Sequence, residues 1–476
     1  MTNPPDKNIS NSSLEEQDSR QFNLYEKREK IYTRKVEGFY QFVRLFTGWP
    51  LLVGYFGIPW LMANGHQAIL FDLPQRQFHI FWLTFWPQDF SLLAWALVIS
   101  AFSLFFVTTL LGRVWCGYTC PQTVWTAIFM WAEQVAEGDR HQRIRLDKEP
   151  WSANKVFKRL LKHGMWIGFA TLTAFTFVGY FYGIRDLVVD AFYFELPLVT
   201  VFWTGFFTVA TYLNAGWMRE QVCMYMCPYA RFQSAMFDQD TLIVSYDSKR
   251  GENRGPRKRN VDPSTIDKGD CIDCTMCVQV CPTGIDIRDG LQYECINCAA
   301  CVDACNGIMD KMGYEHGLIA YTTEHQLEGK EWTWKRPKLL GYLLALSVMI
   351  VMFGVSLVTR LPLELDIIRN RGQLFQEIPG GLIQNTYTAK VLNKDVADHT
   401  YTIEVSGING LWWSPNKMIS VSKGKVGEVA INVIVDPDKL VTVNSDIEFT
   451  VTELESLITV KTTNRLIGPL PVGIRP

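Results

Sequence analysis

Cys271-Ile272-Asp273-Cys274-Thr275-Met276-Cys277-Val278-Gln279-Val280-Cys281-Pro282 spaces four cysteines as C-x2-C-x2-C-x3-C and closes with proline. This is the bacterial ferredoxin spacing for [4Fe-4S] ligation. A second run, Cys295, Cys298, Cys301 and Cys305, repeats it with Asn306 where the proline would stand, so eight thiols fall within 35 residues. In paired runs the fourth cysteine of each ligates the other cluster. The spacing therefore assigns Cys271, Cys274, Cys277 and Cys305 to one cluster and Cys295, Cys298, Cys301 and Cys281 to the other. Zinc sites do not need this crossing, and a disulfide framework is disfavoured in a reducing compartment. The expected module is α+β, ferredoxin-like, and covers about residues 262–312 of a cytoplasmic insert, 218–337.

Outward from the module the chain turns apolar. Aromatics make up 13% and charged residues 20% of the 476 residues, the latter below the roughly 25% of soluble domains. The mean hydropathy of +0.03 fits membrane spans mixed with soluble parts. Five stretches reach the roughly 20 residues that a spanning helix needs: 45–64, 91–111, 164–184, 197–217 and 338–360. Leu339 to Thr359 holds 21 residues without one charge. The expected organisation is a cytoplasmic segment 1–44, four spans within 45–217, the insert, a fifth span at 338–360 and an exported domain at 361–476.

Lys and Arg set the orientation, because cytoplasmic loops are enriched in them. The N-terminal segment carries Lys7, Arg20, Lys27, Arg28, Lys30, Arg34, Lys35 and Arg44, and the 138–163 loop is equally basic, whereas loops 65–90 and 185–196 carry only Arg76 and Arg185. The N-terminus and the cysteine module are thus expected in the cytoplasm and residues beyond 360 outside. All twelve cysteines lie between Cys116 and Cys305, on the reducing side. The first 44 residues show no apolar core with a small-residue cleavage site, so the first span is expected to stay. The net charge of −2 is segregated along the chain and suggests no nucleic-acid partner. The basic segment Lys249 to Asn260 reads as a solvated linker.

The exported tail alternates short strand patterns with turn residues: Thr386–Leu392, Thr400–Val405, Lys417–Val421, Glu428–Val435, Ile447–Leu454 and Leu457–Thr463. This predicts a small β-sandwich.

Two further pairs follow the second and fourth spans: Cys116-Gly117-Tyr118-Thr119-Cys120-Pro121 and Cys223-Met224-Tyr225-Met226-Cys227-Pro228. Both are C-x3-C-P, 107 residues apart, as in an internal duplication whose repeats share a site. On a continuous helix the i to i+4 spacing would put both thiols of a pair on one face, with the proline marking a helix start or a break. Cys116, Cys120, Cys223 and Cys227, with the thioethers of Met224 and Met226, form a candidate copper or redox site, since soft sulfur ligands favour Cu(I). The plainer alternative is thiols packed as small hydrophobes. His66, His79 and His163 read as ordinary surface residues. No Walker A loop or dinucleotide fingerprint stands out, and no span-buried ionisable residue suggests a quinol site.

With these motifs in hand, the chain resembles the cytochrome c oxidase accessory proteins of the CcoG/FixG/RdxA family along nearly its whole length. The resemblance rests on the basic N-terminus leading into Gly48-Trp49-Pro50, the stretch Arg113-Val114-Trp115-Cys116-Gly117-Tyr118-Thr119-Cys120-Pro121, the second C-x3-C-P, the double ferredoxin run and the exported tail. It implies a multidomain membrane protein of the bacterial inner membrane: an α-helical transmembrane bundle, a ferredoxin-like module with two [4Fe-4S] clusters and an immunoglobulin-like all-β sandwich in the periplasm. It also implies reduction of Cu(II) to Cu(I) in support of assembly of a cbb-type cytochrome c oxidase. The implied partners are that oxidase or its copper assembly factors, a separate electron donor and the lipid bilayer, with a homodimer left open. A weaker resemblance to the membrane polyferredoxins of nitrate and nitrous-oxide respiration supports a quinol-linked carrier instead, and a non-catalytic assembly scaffold is the third reading.

Overall fold

The computed structural model describes residues 30–63, 65–259, 268–333, 335–370, 372–395, 397–415, 418–440 and 442–469. Lys7, Arg20, Lys27 and Arg28 of the expected basic N-terminus lie outside them. Two compact units result, one from residues up to Val53 with Val107–Ala174 and Phe202–Arg336, the other from Gly54–Phe106, Phe175–Val201 and the chain beyond Pro337.

Among the described residues four helices are long and apolar enough to cross a membrane: Phe90–Leu111, Ala153–Tyr182, Leu198–Met218 and Pro337–Val358. Their apolar side chains are largely exposed, as lipid-facing helices require. Two expected spans come out differently. Residues 45–64 divide between a helix, Phe39–Gly57, that contains Pro50, a short 3-10 turn, Ile58–Trp60, and strand β1, Met62–Ala63. This helix carries Arg44 and stands apart from the four, although Phe42, Phe46, Trp49 and Val53 on it are exposed. The third span begins at Ala153, eleven residues before the expected 164. Hydropathy stops at Lys155, Lys158, Arg159 and Lys162, but Lys and Arg are good helix formers, and Arg159 and Lys162 are paired with Glu137.

The loop expected at 65–90 is a small antiparallel structure. Strand β1 pairs with β2, His66–Gln67, while β3, Ile69–Asp72, β4, Gln77–Ile80, and β5, Leu83–Phe85, form a meander. His66 and His79 stack with ring centroids 4.0 Å apart. The loop expected at 185–196 is mostly helix, Ile184–Tyr193.

In the first unit the cysteine module is closed by strands outside the 262–312 window: β6, Ile243–Tyr246, pairs antiparallel with β7, Ile319–Thr322. Val244, Ile287, Val302, Met309, Leu318 and Ile319 form its core around Cys271 and Cys277. The basic segment from Lys249 is not a solvated linker. Arg250 bonds Asp270 at 2.5 Å and donates to the carbonyls of Glu315 and His316, while Arg257 donates to the Tyr314 hydroxyl at 3.0 Å and the Gly269 carbonyl. The planar five-donor guanidinium can strap several acceptors at once, which a charge count does not reveal; Asn260 lies outside the described residues.

The sandwich contains β8, Leu363–Arg369, β9, Gln376–Ile378, β10, Leu382–Asn393, β11, His399–Ser406, β12, Trp412–Ser414, β13, Ile419–Val421, β14, Val426–Val435, β15, Asn444–Glu453, and β16, Thr459–Ile467. One sheet runs β12-β14-β10-β8 with β9 also on β10, the other β13-β11-β15-β16. Three of the expected strands, Thr386–Leu392, Thr400–Val405 and Glu428–Val435, fall within β10, β11 and β14; the other three overlap β13, β15 and β16 but overrun them at Met418, Leu454 and Leu457–Ile458, with Lys417 outside the described residues; β8, β9 and β12 are additional. Tyr387, Tyr401 and Phe449 are fully buried between the sheets, each contributing on the order of 2 kcal/mol or more by burial. Asp89 accepts from Arg360 at 2.6 Å and from Lys394 at 2.9 Å, tying the residue before one span to the residue after another and to the sandwich.

Candidate electron-transfer site

Two cavities in the module divide its eight thiols. Cys271, Cys274 and Cys305 line one together with Tyr246 and Arg288; Cys281, Cys295, Cys298 and Cys301 line the other, with Val244, Ile296 and Thr283; Cys277 borders both. This grouping follows the crossed pattern. The backbone repeats as well. Asp273 and Thr275 in the first run, and Asn297 and Ala299 in the second, all have φ between 53° and 55°. A left-handed non-glycine residue costs of order 1–3 kcal/mol, so four at matching positions mark loops wound to aim successive thiols inward.

Burial pushes the Cys277 thiol up to about 11. It does the same to Cys295, up to about 12, and to Cys305, also up to about 12, where the thiols of Cys277, Cys274 and Cys271 add to it. Free thiols so placed are protonated at neutral pH, and only a bound cation stabilises them together as thiolates. Four convergent thiols in a mostly apolar cavity fit an iron–sulfur cluster.

The C-x3-C-P segments do not form continuous α-helices. Cys116 lies in the short helix Val114–Tyr118, but Cys120 is extended and precedes the helix Pro121–Glu137. Cys223 lies in a π-helical turn, Val222–Met226, and Cys227 is extended before Pro228–Met236. The expected single helical face is thereby corrected. Proline disfavours helical backbone at the residue before it and suits the first helical position, so Pro121 and Pro228 each break one helix and start another.

The two segments are nevertheless joined to each other. The helix after the first pair reaches the second: Gln122 donates to the carbonyls of Asn214 and Arg219 at 3.0 and 3.1 Å. Those carbonyls belong to the π-helical end of a span, Tyr212–Met218, and to the kink after it. The helix after the second pair reaches back, with the fully buried Gln233 3.6 Å from the Cys116 sulfur. Burial raises Cys116 to about 12, with Cys120 and Cys223 adding to it, and raises Cys223 to about 11, with Cys120 and Cys227 adding. Met226 is exposed and Met224 half-buried. None of the cysteines forms a disulfide.

Several residues that the sequence did not single out hold this arrangement. Glu133 is buried between Arg143 at 3.0 Å and Arg219 at 2.8 Å. Burial alone would raise its carboxyl, but Arg219, which also hydrogen-bonds it, and Arg143 hold it below the usual range. Arg113, three residues before Cys116, is buried and bonds three carbonyls, those of Tyr293, Cys295 and Ala230. His163, expected at the surface, packs against Trp166 and lies 2.9 Å from the Tyr212 hydroxyl. The one signal available for Arg113 and Arg219 was closeness to a C-x3-C-P motif.

Comparison with known proteins gives three family matches. The family described as "4Fe-4S dicluster domain" matches residues 218–324, "4Fe-4S binding domain" matches 93–136, and "IG-like fold at C-terminal of FixG" matches 353–469. The chain is 36% identical to the nitrogen fixation protein FixG of Rhizobium meliloti, over 88% of this chain and 86% of that one. It is 38% identical to protein RdxB of Cereibacter sphaeroides, over 82% of this chain and 84% of that one. A crystal structure of a FixG-related protein from Vibrio parahaemolyticus aligns with 23% of this chain and all of its own, at 32% identity and a TM-score of 0.22. Relatives matched along most of both lengths, together with the C-terminal FixG domain, establish that this chain belongs to the FixG/RdxA family.

Proposed function

We propose that this iron–sulfur protein is a cupric reductase supporting assembly of a cbb-type cytochrome c oxidase. Cys271, Cys274, Cys277 and Cys305 hold one [4Fe-4S] cluster, and Cys295, Cys298, Cys301 and Cys281 hold the other. Bound clusters of this type supply single electrons at low potential. Cys116, Cys120, Cys223 and Cys227, with Met224 and Met226 at the entry, receive the copper substrate, because thiolate and thioether sulfur favour Cu(I) over Cu(II). The reciprocal glutamine contacts carry this reading: Gln122 on the second segment and Gln233 on Cys116 join the two C-x3-C-P segments, and Cys116 borders the cluster module.

On this reading a fifth span at Phe39–Gly57 keeps the charge asymmetry consistent. The N-terminus and all twelve thiols then face the cytoplasm of a bacterial inner membrane, and the sandwich faces the periplasm. The oxidase or its copper factors and a separate electron donor are the partners.

The test is anaerobic. The purified, reduced protein is mixed with Cu(II) while cluster absorbance and a Cu(I)-specific chelator are followed, beside a variant with all four C-x3-C-P cysteines changed to alanine. Stoichiometric turnover in wild type alone supports the reading. Equal turnover in both removes the four thiols from it, and clusters that stay reduced in the presence of Cu(II) exclude the reductase.

A further inference from the structure

The two cluster cavities stand differently towards the C-x3-C-P thiols. Cys116 packs directly on the apolar group formed by Val280, Ile296, Cys298, Ala300 and Ala304, and Ile296, Cys298 and Ala300 line the cavity of Cys281, Cys295, Cys298 and Cys301. At the next residue, Gly117, a Cβ atom would lie 2.8 Å from the carbonyl oxygens of both Ile296 and Asn297. That is closer than a side chain permits, so only glycine lets the two backbones touch here. Tyr321 adds a bridge, with its hydroxyl 3.0 Å from that of Tyr118 and donating to the Asn297 carbonyl.

Arg113 completes the junction. One guanidinium donates to the Tyr293 and Cys295 carbonyls on the cavity loop and to the Ala230 carbonyl in the helix after Cys227. The cavity loop, the first pair and the second pair are thus clamped at a single buried cation. The cation near the other cavity, Arg288, is bonded instead to Asp286 and Asp273 within the module.

We infer that the cavity of Cys281, Cys295, Cys298 and Cys301 is the one that exchanges electrons with the C-x3-C-P thiols, and that Gly117 and Arg113 are the positioning residues of this junction. The inference rests on the copper reading above. One electron would cross: a cluster held by Cys281, Cys295, Cys298 and Cys301 would supply it, losing one electron, and one Cu(II) would gain it to become Cu(I), with no bond or proton exchanged. The other cavity is then the side of electron entry.

The experiment uses the full-length, cluster-loaded protein and Co(II), a paramagnetic thiolate-binding ion that the clusters do not reduce. Cys298→Ser and Cys274→Ser variants first assign the two reduced-cluster EPR signals, since each changes the signal of its own cavity. Co(II) should then speed the relaxation of the signal assigned by Cys298→Ser and leave the other nearly unchanged. Effects of equal size, no effect, or a larger effect on the signal assigned by Cys274→Ser would overturn the inference.

Arg113→Lys keeps the charge but loses the fork. It should slow reoxidation by Cu(II) at least tenfold and weaken the Co(II) effect, with iron content unchanged; wild-type values for both would remove Arg113 from the junction. Gly117→Ala should do the same wherever it still assembles clusters. If Cu(II) fails to oxidise wild-type clusters while Co(II) relaxes the expected signal, the copper reading falls and the assignment of the near cavity stands.

Discussion

The two C-x3-C-P segments share a spacing and the Arg113 clamp but differ in what else holds each in place. The first is fixed by steric fit: Gly117 touches the cluster loop and Gly112 lies under the Leu242 carbonyl, at positions where a Cβ would collide. The second is fixed by charge: Arg219, at the kink between two π-helical turns, is anchored by buried Glu133. Position by position, Gly117 of the first corresponds to Met224 of the second, and the second also exposes Tyr225 and Met226. A duplicated motif has thus become an inner half facing the cluster module and an outer half with exposed side chains.

The largest effect should come from Glu133→Gln, which leaves Arg143 and Arg219 buried without a counter-charge, a loss of roughly 3–5 kcal/mol. Amide exchange across 219–227 should rise strongly and that across 113–120 much less; equal changes would break the contrast. Next comes Gly117→Val, expected to cost about 1–3 kcal/mol or more by overpacking and to lower bound iron. Met224→Ala at the matching position should leave iron content near wild type.

A pH test follows from Glu133. Its carboxyl is depressed in the folded protein, so its stabilisation is complete above the unfolded value near about 4.3 and is lost as pH falls through the lower folded value. Acidification below about pH 4 should therefore loosen 219–227 ahead of 113–120, an order that Glu133→Gln should abolish.

The smallest effect concerns the thiols. Cys116, raised to about 12, should alkylate several-fold more slowly at pH 8 than Cys223, raised to about 11, because the thiolate is the nucleophile. Gln233→Leu should widen that gap, because the Gln233 contact lowers the Cys116 thiol, as measured by mass spectrometry after timed alkylation.

Sequence reading went furthest where the signal is local. The ferredoxin spacing, the uncharged stretch from Leu339 to Thr359 and the strand alternation from Thr386 onward each report on residues a few positions apart. It fell short where charges were absorbed by partners far along the chain. The helix from Ala153 runs through Lys155 and Lys162 because Lys162 meets Glu137, and Arg250 binds Asp270 and the His316 carbonyl instead of solvent. In strand β8 Leu363, Leu365 and Ile367 alternate, but the strand follows a span so closely that the apolar run before it masks the pattern.

The amino-acid order by itself determined the two-run cysteine module, the apolar helices and the sandwich, since spacing and hydropathy act along the chain, while at Pro121 and Pro228 it left open a helix start or a break. Only the tertiary structure decided that Gly117 meets Ile296 and Asn297, that Gln122 and Gln233 cross between the motifs, and that Arg113 clamps three segments. These contacts join residues from about 90 to 180 positions apart, and they exist only once packing has brought their backbones within hydrogen-bond reach.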